Sequence, residues 1–428
     1  MKKGYSKFLI LWIGNLISQI GGGLTAFGLG VYVFQKTGSA ATMAIVTLLG
    51  FLPTLLLSVP AGVLADMFDR RILMMTGDGL SAIGVLYILI CMMNGECAVW
   101  QICLGVFVSS VFSSLLEPAY RSTITDLLTK EEFTKASGLV SLAGSARYLI
   151  SPVIAGLLLA AYEIKLLLVI DICTFFVTII ATAVVKRGLS DSRGDKRPGF
   201  MESLKEGWRA VYTRKGVLQL IIISSCMSIF LGVIQVLCEP MILSFADSKT
   251  LGFAETVCAL GMLVTALIIG VIGIKKSHAS VLGLSLAMAG VFMICFSLKE
   301  NIYMICLFGF MFFAMLPIAN SSLDYLARTN IPDALQGRAW GFIGFLSQLG
   351  YIPAYGLSGV FADRSAYIMN ISVGRGSAFV ISIAGVMLII TSLISLFSKK
   401  IKNLETGKEK EVDYESYCYK QSAGGEAL

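Results

Sequence analysis

The sequence predicts an all-α integral membrane protein, with twelve transmembrane helices arranged as two parallel six-helix pseudo-repeats. Three observations predict it. Of 428 residues, 56% are hydrophobic and only 14% charged, whereas a water-soluble domain carries about 25% charged residues. Uncharged stretches reach spanning length: Phe8 to Phe34 and Ala41 to Ala65 contain no Asp, Glu, Lys, Arg or His, and a bilayer core needs about 20 apolar residues per helix. Finally, Pro118 and Pro152, with the polar loop ITDLLTKEEFTKASG between them, are matched one half-chain later by Pro317 and Pro353 with TNIPDALQGR between them. Parallel repeats of this kind build a substrate site at the membrane midplane.

Each span follows from hydropathy. The expected spans are 8–34, 41–65, 72–93, 98–122, 134–161 and 164–186 in the first half, and 216–245, 251–274, 279–298, 301–328, 338–362 and 374–397 in the second. They must be helices, because a backbone in lipid has to satisfy its own hydrogen bonds. The first segment is longer than a signal-peptide core and runs directly into a second, so it is read as retained. The chain therefore divides into a bundle over 1–186, a linker over 187–215, a second bundle over 216–398 and a tail over 399–428. The linker opens with the polar, Gly/Pro-bearing GLSDSRGDKRPG. It then places Phe200, Leu204, Trp208 and Val211 at helical spacing, the pattern of an amphipathic helix on a membrane face. The charged tail is expected to be disordered.

Charge sets the orientation. Of the 34 Lys and Arg residues, one set of loops holds only Lys36, Lys165, Lys249, Lys299, Arg364 and Arg375, and Arg147 lies inside a span. The remainder fall in the termini and the opposite loops, which are therefore expected to be cytoplasmic, in a cell membrane. The net charge of +7 is accounted for by this asymmetry and implies no nucleic-acid partner. Ten cysteines stand mostly as lone residues in apolar runs, without a CxxC pair, and read as small hydrophobes; Cys91, Cys97 and Cys103 bracket one external turn. The single histidine, His278, excludes a His-rich metal site, and no cofactor is expected.

The most specific motif is GVLADMFDRR, Gly62 to Arg71, between the second and third spans. It resembles the loop signature of the major facilitator superfamily, roughly G-x-L-a-D-r-x-G-r-k. Gly62, Leu64, Asp66, Arg70 and Arg71 match it, while Met67 replaces the usual basic residue and Asp69 the usual glycine; the run Asp69-Arg70-Arg71 is similar to that of the drug-exporting branch. Gly62 is expected to allow tight helix contact, and Asp66 to pair with Arg70 or face a neighbouring helix's positive end, forming a gate latch. The second-half counterpart, Gly270 to Lys276, has no Asp. The stretch Glu117 to Leu159, the IDICTFF run after Ile170 and the IPDALQGR loop are similar to macrolide-efflux-type exporters of that superfamily. SPVIAG, Ser151 to Gly156, is a degenerate antiporter signature. The likeness covers nearly the whole chain. It implies alternating-access export of small hydrophobic or cationic compounds, with protons as the coupling ion. Lysophospholipid or siderophore export by the same fold, and a non-transporting membrane sensor, are the alternatives.

Ionisable residues inside spans mark the candidate pathway, because lipid makes them costly. Arg147 lies midway along the fifth span, too deep to reach the interface. Glu117 and Arg121 stand one turn apart and can pair. Asp171 lies in the sixth span and Glu239 in the seventh, beside Pro240. Asp78 and Asp324 are read as hydrated loop edges, and Glu255 as a carboxylate that suits a helix start. The GGG run at Gly21 to Gly23 is read as helix packing or a cavity bend. No GxxxxGK[ST] loop occurs, and a nucleophilic serine would lack a histidine base, so neither ATP-driven transport nor membrane enzymology is expected.

Overall fold

A computed structural model describes residues 3–186, 215–274, 277–331 and 336–406. Its secondary structure is helical throughout those residues. The first half contains α1 (Lys3–Thr37), α2 (Ala40–Met67), α3 (Arg70–Met93), α4 (Val99–Ser113), α5 (Leu116–Leu127), α6 (Lys130–Leu149), α7 (Ser151–Ala161) and α8 (Ile164–Lys186). The second contains α9 (Lys215–Leu243), α10 (Ser248–Ile272), α11 (His278–Ser297), α12 (Ile302–Asn330), α13 (Gln336–Gln348), α14 (Tyr351–Met369), α15 (Val373–Phe397) and α16 (Lys399–Thr406).

Eleven helical stretches among these residues are long and apolar enough to cross a membrane, and they fall on eleven of the expected spans. The remaining one, expected at 338–362, is covered by α13 and α14 together, with an interruption between them. The expected amphipathic helix at 200–211 lies outside the described residues. Helix starts carry the short polar side chains that free first-turn amides require. Asp69 accepts from Arg71 N–H at 2.8 Å, Asp247 from Thr250 N–H at 2.9 Å and Asn301 from Tyr303 N–H at 2.9 Å. The bonds from Thr250 hold the Asp247 carboxyl, in its loop, below the ordinary carboxylate range.

Three spans break in mid-course: the fourth between α4 and α5, the fifth between α6 and α7, and the eleventh between α13 and α14. Proline explains two of the positions, in the fourth and eleventh spans. Its ring collides with the carbonyl four residues back, which for Pro118 is Ser114 and for Pro353 is Leu349, both at the breaks. Pro317 sits inside an uninterrupted α12, so the proline repeat seen in sequence is not a repeat of breaks.

The repeat is instead visible in helix pairing. In the first bundle α1 packs on α8, α3 on α4 and α8, and α2 on α4; in the second α9 packs on α15, α11 on α12 and α15, and α10 on α12. Each pairing in one half has its counterpart in the other. The outward faces are apolar: Phe176, Ile180 and Val184 on α8, and Val386, Ile390 and Ile394 on α15, are all exposed, at the i, i+4 spacing of a lipid-facing stripe. This inversion of the water-soluble pattern makes the chain a multi-pass membrane protein.

We call the end where α1 begins and α16 docks the near end, and the opposite one the far end. The bundles meet at the far end. There Gly156 of α7 lies on the Ser248 backbone, and Gly252 of α10 on the Pro152 carbonyl, so closely that a methyl group at either position would overlap those atoms. Glycine is what permits this approach between helix backbones. By contrast, Gly62, Gly138, Gly144 and Gly344, toward the near end, face open space. The tight contact expected of Gly62 is not made in this conformation.

The tail is ordered at its start, against the expectation of disorder from Lys399 onward; residues 407–428 lie outside the described ones. α16 buries Ile401 and Leu404. Asn330 donates to the Leu404 carbonyl at 3.0 Å, while Glu405 accepts from Ser277 Oγ at 2.6 Å and from His278 N–H at 2.8 Å. Two apolar residues and a cap at the start of α11 were enough to dock a segment whose composition reads as solvated. Replacing Glu405 with alanine should therefore lower stability by about 1 kcal/mol and speed exchange of the His278 amide, as measured by detergent melting and hydrogen exchange.

Candidate functional site

A cavity of about 780 Å³ lies between the bundles. α1 lines it along one face: Leu11, Asn15, Ser18, Gln19, Gly22 and Thr25 recur at helical spacing. That strip of polar residues in an apolar span was a legible signal that the motif-centred reading passed over. Opposite it, Phe51 of α2 packs edge-on against Tyr351 and Tyr355 of α14, with ring centroids 5.3 and 5.4 Å away. The Tyr355 hydroxyl donates to Gln235 Oε1 of α9 at 2.7 Å. Aromatic faces with a few fixed polar groups suit a bulky, partly apolar ligand.

Two acidic groups flank this space, one per bundle. In the first bundle Asp171 is buried, with the Thr174 hydroxyl 3.4 Å from its Oδ1. The GGG run explains its position. A methyl group on Gly21 would strike Thr174 and Asp171, and one on Gly23 would strike Ser151 and press on Arg147 Cγ. Gly22, between them, has no atom in reach and opens on the cavity. Three successive glycines thus bring α1 against α8 on one side and the α6–α7 break on the other. Arg147, in the last turn of α6, projects into the cavity within charge range of Asp171. A helix C-terminus favours a cation there.

Asp78 corrects the sequence reading. It is no hydrated edge: it is 2% exposed, lines the cavity beside Thr178, and its Oδ1 has no hydrogen-bond partner. Asp324, by contrast, is exposed as expected.

In the second bundle Glu239 also lines the cavity, its Oε2 buried and without a hydrogen-bond partner. It lies against Gly30 of α1, where any side chain would occupy the carboxylate's place. Glu255 corrects the sequence reading too. Asp247 already caps α10, and Glu255, two turns in, lines the cavity within charge range of Glu239. Its place eight residues past the cap was the overlooked signal.

The gate motif is built around its own bundle. Arg70 is buried and donates to Asp126 Oδ1 of α5 at 2.6 Å and to the Ser122 carbonyl at 3.2 Å, with Asp66 farther off at 3.9 Å. The expected pairing with Asp66 is thus secondary to one with Asp126. Asp69 caps α3 and lies 3.8 Å from Lys186, and Arg71 is buried. Glu117 and Arg121 form the expected pair at 2.5 Å, largely exposed, with Glu117 on the cavity wall. Among the described residues no group of three or more His, Cys, Asp or Glu side chains is placed to hold a metal ion, and the described cysteines are free.

Two parallel bundles around one central cavity define a membrane transporter, and comparison with known proteins agrees. The family model of the Major Facilitator Superfamily matches residues 11–355. The chain belongs to that superfamily. It is 24% identical over 408 residues to macrolide efflux protein A of Streptococcus pyogenes, covering 93% of this chain and 97% of that protein. Over 359 residues it is 26% identical to the multidrug efflux pump Tap of Mycobacterium tuberculosis, covering 80% of this chain and 83% of that one. Among solved structures it is similar to the POT family transporter PepTSo (TM-score 0.76, 11% identity, 94% of this chain and 98% of that one). It is likewise similar to a bacterial homologue of the lysosomal transporter Spinster in an inward-facing, unoccupied conformation (TM-score 0.68, 13% identity, 92% and 96%). These structural likenesses concern the fold alone.

Asp126→Ala should leave the buried Arg70 guanidinium without its shortest partner. Removing one member of a fully buried pair costs about 3–5 kcal/mol. Asp126 keeps some contact with water, so a loss of about 2 kcal/mol is expected. Asp126→Asn, which retains an acceptor, should lose less; thermal unfolding in detergent measures both.

Proposed function

We propose that this chain exports amphipathic drugs, macrolides or other hydrophobic cations among them, by alternating access driven by protons. In this reading it sits in the cell membrane with both termini in the cytoplasm, so the near end is cytoplasmic and the described conformation is inward-facing. One observation carries the proposal: Glu239, with an unpartnered oxygen, shares a mostly apolar cavity wall with Glu255. An unpaired carboxylate anion at depth is unfavourable, so either a proton or a cationic cargo must neutralise it. Competition between the two links proton entry to cargo exit without contact between them. The efflux relatives support the substrate class, and the aromatic wall of Phe51, Tyr351 and Tyr355 supplies area for a large ring system.

Asp171, Asp78 and Arg147 form the matching polar group of the other bundle. Arg147 there offers a delocalised cation with several donors, able to hold a carboxylate and a cargo oxygen together. In the same reading Asp66, Asp69, Arg70 and Arg71 set the near-end gate, and the Glu117–Arg121 pair borders the cargo's way in.

Proteoliposomes with an imposed pH gradient test this. Glu239→Gln imitates the protonated acid: neutral cargo should still bind, while pH-driven export of a cationic macrolide should fall by about tenfold or more, equivalent to about 1.4 kcal/mol. Undiminished export would remove Glu239 from the coupling role and make Asp171 the next residue to test. Arg147→Ala should abolish transport and Arg147→Lys restore only part of it; a fully active Lys variant would show that a point charge suffices. Efflux of lysophospholipid that ignores the pH gradient would favour a lipid exporter instead.

A further inference from the structure

The far end is closed by more than small-residue packing. Asp363 of α14, a residue to which the sequence reading gave no role, reaches across to the other bundle and meets the start of α2. Its Oδ2 accepts from the Ser39 hydroxyl at 2.6 Å and from Ala41 N–H at 3.1 Å, and its Oδ1 accepts from Ala40 N–H at 2.9 Å. One turn earlier, Gly359 lies on the Ala40 carbonyl and the Ala41 Cα, leaving no room for a methyl group. A full turn of α14 is therefore seated against the first turn of α2.

Chemistry makes this contact unusual among helix caps. The first-turn amides of a helix have no acceptor within it, and acceptors are ordinarily supplied by a residue next in sequence. Ser39 does part of this, accepting from Thr42 N–H at 3.1 Å. For Ala40 and Ala41 the acceptor comes from the other bundle, and it is a full negative charge at the positive end of the helix. Separating the bundles at this end must strip both amides and the Ser39 hydroxyl from the carboxylate at once.

We propose that Asp363 is the far-end latch of the transport cycle, holding the far-closed state through the amides of α2. The proposal rests on the alternating-access reading above. It makes α2 a lever with a carboxylate contact at each end. The Asp363 contact is engaged at its start, while at its other end Asp66 has Arg70 at 3.9 Å, within its own bundle. Far-end opening then breaks the first contact as the near end draws together around the second.

The test needs neither substrate nor a pH gradient, so it stays informative even if the drug-export reading fails. Two readouts are compared in the wild type, Asp363→Ala, Asp363→Asn and the neighbouring control Arg364→Ala. One is hydrogen exchange of the Ala40 and Ala41 amides in the native chain. The other is the spin-label distance between Gln35 and Ile368, both exposed at the far end, in a background without native cysteines. Asp363→Ala should speed exchange by about tenfold or more and shift the label distances to a longer, far-open population. Asp363→Asn, with one acceptor oxygen left, should fall between; it also carries the comparison if the alanine variant does not fold. Arg364→Ala should leave both readouts unchanged. Faster exchange with unchanged label distances would reduce Asp363 to a local cap and overturn the proposal, as would an Asp363 variant that alters neither readout.

Discussion

A polar group surrounded by hydrocarbon has to find its partner inside the protein, and most of this structure follows from that. Every span is helical because each peptide then bonds within its own segment. Helix starts in the loops carry Asp69, Asp247 or Asn301, because first-turn amides would otherwise be unsatisfied. The fourth and fifth spans break where their sides border the cavity, which tolerates non-helical backbone that a lipid-facing side would not. The same constraint turns Asp78, Asp171, Glu239 and Glu255 inward. With no water on the lipid side, a cavity is the one place where a carboxylate can exchange its proton or its counter-ion.

Small residues convert that constraint into a particular shape. Lipid tails are as apolar as leucine, so hydrophobicity does not bind helix to helix here, and close packing must do so. Gly21 and Gly23 let α1 settle against α8 and the α6–α7 break, which brings Asp171 and Arg147 to neighbouring parts of one wall. Gly30 leaves the volume that the Glu239 carboxylate fills. The acids are therefore positioned by the absence of side chains on α1 as much as by their own helices. A single methyl group at any of these glycines would move a charged group rather than merely crowd a core.

The proposed alternating-access cycle needs bundles that meet at one end and can part there. Within each bundle the helices pair in the same pattern. Between bundles the contacts run along residues 149–156 against 248–256, and along 39–51 against 351–363. At their far ends both contacts are built on glycine and a few hydrogen bonds, which the proposed cycle would have to release together. α16 and Ser398, which precedes it, join the near ends of α9, α11 and α12, through Ser398 to Gln219, Glu405 to His278 and Asn330 to Leu404.

Much of this was legible in the sequence, since the bilayer acts on composition alone: a run of apolar residues of sufficient length becomes a helix whatever it packs against. The span limits, the two halves and the superfamily signature at Gly62 to Arg71 are local properties and needed no coordinates. Arg147, Asp171 and Glu239 stood out for the same reason, as charges where lipid forbids them. Outside the polar strip of α1, sequence could not decide which side of a helix faces the cavity, because the sides of the other spans are nearly all apolar. Asp78 read as a loop edge and Glu255 as a helix cap until packing placed both on the cavity wall. Arg70 could be paired with its near neighbour Asp66, but the choice of Asp126 depends on α5 folding back beside α3. Asp363 had no local feature to mark it: its partners lie more than 320 positions away along the chain, and only the meeting of the two bundles gives its carboxylate something to hold.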